Sequence, residues 1–178
     1  MNPALPRDAV HKWSEECAEQ GLAFQAVARR IIEDQSRLSR FFKSNLPQMP
    51  GQSGEVALYL LAVVVRLYQR AGGTLSRAGA KEIEAGTAKI QAHAKGLLPG
   101  DAGFPARVRE VADRAQPHIL DEALHALFER EDKKKDEVEI PPDHAAMVFL
   151  MLWAATEALD LAWEPPKSAE WLPSGPPA

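Results

Sequence analysis

The stretch Ala145-Ala-Met-Val-Phe-Leu-Met-Leu-Trp-Ala-Ala155 holds no charged or strongly polar side chain, and its reading decides the fold. It is too short to cross a bilayer, which takes about 20 apolar residues, and Glu157 and Asp160 come soon after it. A second run, Val56 to Leu67, is apolar except for Tyr59 and Arg66. Both read as helices buried at the centre of a soluble bundle. No segment elsewhere shows sustained period-two alternation of strand-forming residues, so the chain is expected to be all-α.

Working backwards, the positions Val10, Trp13, Cys17, Gln20, Phe24, Val27, Ile31, Asp34, Leu38 and Phe41 step by three and four. That is a heptad stripe, apolar except at Gln20 and Asp34. A continuous helix over it would be on the order of 50 Å long, although Gly21 costs about 1 kcal/mol against Ala and allows a break. Beyond the loop at Asn45–Gly54, a helix from about Ser53 is expected to end at Gly72-Gly73. An Ala- and Gly-rich helix over about Ser76–Lys95 should pack closely on a larger neighbour. Pro105 suits a first helical turn, and Pro117 either kinks that helix or separates it from the next. The run Arg130 to Glu139 is dense in both charges and reads as an exposed loop. The last helix is expected to start after Pro141-Pro142, with Asp143 as its N-cap, and to run to about Trp163.

The expectation is one domain, residues 1–163: a bundle of five to seven helices with a long N-terminal helix and two largely buried apolar helices. Residues 164–178 form a Pro-rich tail, expected to dock through Trp171 and Leu172 on its own bundle or on a second copy, since that pair is costly to leave in water. A length of 178 residues fits one domain. A formal charge of −4 gives no reason to expect nucleic acid or an anionic membrane as partner. The basic group Arg29, Arg30, Arg37 and Arg40 is expected to balance nearby acids. Reading Arg70 to Lys81 as a helix-turn-helix puts Gly79 in the recognition helix and brings Glu82 and Glu84 against phosphate. The single Cys17 lies on the heptad stripe, where it reads as core packing and not as a nucleophile. Without an apolar leader at the N-terminus, the expected compartment is the cytoplasm.

Two constellations could carry chemistry. His118, Glu122, His125 and Glu129 include a Glu-x-x-His, the spacing that carboxylate-bridged metal bundles use. On a regular helix, however, the four lie opposite the apolar face of Ile119, Leu120, Ala123, Leu124, Leu127 and Phe128, and the chain holds no second Glu-x-x-His. They read as solvated His/Glu pairs. On the last helix, Glu157 and Asp160 share a side with Phe149 and Trp153. A buried carboxylate needs a partner, so the expectation is an ion pair with an arginine such as Arg66 or Arg70, or emergence of the helix end into water. The functional alternative is a divalent-metal-dependent all-α hydrolase using Glu157 and Asp160 as oxygen ligands.

Neither set outweighs its ordinary structural reading, so no cofactor or metal is expected and catalysis is the lesser expectation. The favoured function is a non-enzymatic helical interaction module: an adaptor, assembly subunit or regulatory partner. Its partner would be another protein or a second copy, met through the first helix with Gln20 and Asp34 fixing register.

Overall fold

A computed structural model describes residues 1–48, 51–133, 137 and 139–171. The chain is an all-α single domain. Among the described residues it forms eight α-helices: α1 (Arg7–Glu19), α2 (Leu22–Asp34), α3 (Ser36–Asn45), α4 (Ser53–Ala71), α5 (Ala80–Leu97), α6 (Phe104–Arg109), α7 (Pro117–Leu124) and α8 (Pro142–Leu161). A π-helical turn, His125–Glu129, extends α7. Two short strands, β1 (Thr74–Leu75) and β2 (Trp163–Glu164), pair antiparallel with Thr74 opposite Glu164.

The central helix is α8, buried continuously from Val148 to Asp160. It is the one described helix long and apolar enough to span a membrane, and 83% of its apolar window is buried inside the fold. Helices α4, α5 and α7 pack around it, α5 most extensively. The small residues of α5 permit that approach. A Cβ added to Gly86 would lie 2.4 Å from the Ala154 carbonyl oxygen, so only glycine lets the backbones come this close.

The expected long first helix is divided twice. Gly21 adopts φ 51°, ψ −122°, and Gln35 adopts φ −89°, ψ 52°, so the stripe is carried by α1, α2 and α3 in turn. The heptad positions explain why burial survives the breaks. Val10, Cys17, Phe24, Ile31 and Leu38 are all buried, while the alternating positions Trp13, Val27 and Phe41 are half-buried and Gln20 and Asp34 are exposed. Each break comes directly after one of the two polar positions. A straight rod would carry half its stripe away from the bundle; bending at Gly21 and Gln35 wraps it onto the core. The second bend is locked by Gln35, 5% exposed, whose amide donates to Ser76 O at 3.2 Å and accepts from Ala78 N–H at 3.0 Å.

Gly72, at φ 85°, closes α4 where expected. Pro117 opens α7 and does not kink it. The N-cap of α8 is Pro141, not Asp143, which lies in the first turn. Pro142 sets this register, because its ring fits the first helical position, where no N–H is needed.

Candidate functional site

The acidic side of α8 is the stronger candidate for chemistry, and burial dictates what surrounds it. Glu157 is 9% exposed and Asp160 5%, so each needs donors. Glu157 faces α5, whose close packing brings Lys89 to 2.9 Å of Oε1 and 3.0 Å of Oε2. Its Oε1 also accepts from the Trp153 indole N–H at 2.9 Å and from Ala115 N–H at 2.9 Å. Lys89 further donates to the Asp113 carbonyl oxygen. His93 stacks on Trp153 with ring centroids 5.7 Å apart.

Asp160 is held without a cation among the described residues. The Gln116 side-chain amide donates to its Oδ1 at 3.0 Å, and Asn2 N–H donates to its Oδ2 at 3.2 Å. Tyr68, wholly buried nearby, donates to Thr156 O at 3.0 Å. Burial pushes its phenol well above the ordinary range, helped by the negative charges of Asp160 and Glu157. The expected partners Arg66 and Arg70 are elsewhere. Arg70 pairs with Glu16 at 2.6 Å and lies over the Trp13 ring at 5.8 Å, while Arg66 donates to Gln69 at 3.2 Å. Both arginines serve the α1 side of α4, whereas the α8 carboxylates face α5 and the segment before α7.

The His118, Glu122, His125 and Glu129 set is dispersed. Glu122 accepts from His11 of α1 at 2.9 Å. Glu129 takes a two-pronged contact from Arg109 at 2.7 and 2.8 Å, which holds its carboxyl below the ordinary range. His118 lies 3.9 Å from Asp121, and His125 is exposed. The π turn from His125 onward also shifts the spacing that a regular helix would give. Among the described residues no three His, Cys, Asp or Glu side chains gather as a metal site would require.

The heptad exceptions Gln20 and Asp34 are exposed at the two bends. Burial pushes the Cys17 thiol up, as suits a small core side chain. Arg29, Arg30, Arg37 and Arg40 are not matched by acids as expected. All are exposed, and among the described residues none has an acidic partner at ion-pair distance. Trp171 docks on its own chain: its indole donates to Ala71 O at 3.0 Å and stacks on Trp163 with centroids 6.0 Å apart. Leu172 lies outside the described residues.

Sequence reasoning missed Asn2, Lys89 and Gln116. Gln116 had one available signal, since Pro117 as a first helical residue puts Gln116 at the cap, where glutamine is uncommon. It stands at φ 47°, a left-handed conformation costly for a non-glycine residue, with its side chain committed to distant groups. A groove of about 380 Å³ between the end of α7 and the start of α8 is lined by Leu127, Phe128, Ile140 and Ala145 with Lys133 and Glu139. Among the described residues, that lining lacks the several converging polar groups catalysis requires. Comparison with known proteins finds no match to the chain among protein families, curated proteins or solved structures.

Proposed function

We propose that the protein is a non-enzymatic helical interaction module, acting in the cytoplasm on a protein partner or a second copy through the bent N-terminal segment. The observation that carries this reading is the outer face at the start of α2. Leu22 is 81% exposed there, and Ala23 and Ala26, on the same side of the helix, are exposed as well. An apolar corner flanked by Gln20 on one side and by Arg29 and Arg30 on the other has the pattern of an apolar patch with a polar rim.

The hydrolase alternative finds less support. A divalent cation would have to displace Lys89, the Trp153 indole and the Ala115 amide from Glu157, and two further donors from Asp160. The test is affinity purification of the tagged chain from its own cells beside Leu22→Asp. Leu22 is exposed, so that change should alter stability by less than about 0.5 kcal/mol. Loss of a stoichiometric companion with the fold intact supports the reading; an identical set of companions for both chains contradicts it.

A further inference from the structure

Residues 1–6 precede α1 without helical structure. Pro6 O accepts from Val10 N–H at 3.0 Å as the cap of α1. The side-chain hydrogen bonds that hold Asn2, Pro3 and Leu5 all run to distant parts of the chain. Leu5 N–H donates to Gln116 Oε1 at 2.9 Å, and Gln116 Nε2 donates to Pro3 O at 3.0 Å. One side-chain amide thus reads the donor of one arm residue and the acceptor of another, as a neighbouring strand would. The Asn2 side chain donates to Asp160 O at 2.7 Å, in the last turn of α8, and to Trp163 O at 2.9 Å, in β2 just beyond it. Leu5 is 1% exposed. Every one of these side-chain hydrogen bonds spans at least 111 positions of the chain. The cleft-side residue Gln116 is held at φ 47°, the kind of strain that clusters at ligand clamps.

We infer that this cleft, built from Gln116, Asp160 and Trp163, is a peptide-binding site for an extended Asn-Pro-x-Leu segment, and that its partner in trans is the same arm of a second copy. Contacts that are all distant in sequence can be supplied as well by another chain, which is the condition for exchanging an element between protomers. Pro3 and Pro6 keep the arm extended and lower the ordering cost of docking. Six residues reach about 20 Å, and α1 packs against α7, so the base of the arm starts beside the cleft. This site is separate from the Leu22 corner, and either can fail without the other.

The test uses two full-length variants. Gln116→Asn keeps a residue that tolerates positive φ but is one methylene too short to clamp an arm. Asn2→Ala with Leu5→Asp keeps the cleft and spoils the arm. Each alone is expected to stay monomeric by light scattering at concentrations where the unaltered chain begins to dimerise; mixed, they form a heterodimer. A synthetic peptide of residues 1–6 should raise the melting temperature of the arm variant by about 2–4 °C at roughly five times its Kd, and leave the unaltered chain unmoved. Should either variant fail to fold, a photoreactive residue at exposed position 4 in mixed ¹⁵N and unlabelled chains is expected to give mixed-isotope adducts. A mixture that stays monomeric, or adducts of single isotope only, overturns the proposal. So does peptide binding without heterodimer formation, which would assign the cleft to a different partner.

Discussion

Lys89 and Glu157 meet at 2.9 Å across the α5–α8 interface, and Glu157 completes its hydrogen bonding with an indole and a backbone amide. Removing the carboxylate therefore strands three donors. Glu157→Ala is expected to destabilise by about 3–5 kcal/mol, and Glu157→Gln, which keeps an acceptor oxygen, by about 1–3 kcal/mol. Urea unfolding gives both values. Equal costs for the two would mean that the donors find water instead.

The same saturation bears on metal. Adding Mg²⁺ or Mn²⁺ is expected to leave the melting temperature unchanged, because a native-state site would raise it. A rise abolished by Asp160→Asn would establish the metal-dependent alternative.

His11 links α1 to α7 through Glu122 at 2.9 Å. The hydrogen bond and then the charge of Glu122 raise its pKa above 6.5, with a further contribution from Glu15 against Arg7. A raised folded-state pKa contributes stability that is fully present below 6.5 and lost as pH climbs through the folded value. The stability difference between the unaltered chain and His11→Asn should accordingly shrink as pH rises from about 6 to 8.5. A difference that grows over that range would reverse the sign and refute the pairing.

Gly86→Ala sets two effects against each other. Alanine favours an isolated helix by about 1 kcal/mol, but its methyl would sit 2.4 Å from Ala154 O, a backbone atom. Overpacking of about 1–3 kcal/mol should win, so the variant melts lower. A higher melting point would show that α5 can move away from α8 at little cost.

Trp171 donates to Ala71 O of its own chain. Truncation after Pro166 is expected to lower the melting temperature and leave the molecular mass in solution, less the removed residues, unaltered. A change in oligomer size would place the tail's docking site on another copy.

The sequence made the apolar helices legible because long runs of almost wholly apolar residues have few other readings, and α4 and α8 lie close to where those runs put them. The heptad stripe identified which residues face inward but not the path of the chain. Periodicity survives a bend, and the bends at Gly21 and Gln35 were marked only by a glycine and by two polar stripe positions. For the candidate site, the spacing of Glu157 and Asp160 showed that they share a side and need partners. It could not name those partners, because Lys89, Gln116 and Asn2 arrive from far along the chain and obey no local pattern. The His125–Glu129 half of the His/Glu set lost its regular spacing to a π turn that no local signal announced.

The most direct measurement of the interaction reading is photo-crosslinking in the protein's own cells, with a photoreactive residue at position 22 and, as a control, at exposed position 91. One dominant adduct is predicted from position 22, either a single partner or a second copy of the chain, and none from position 91. No adduct at position 22, from a chain that is monomeric by light scattering, would contradict that reading.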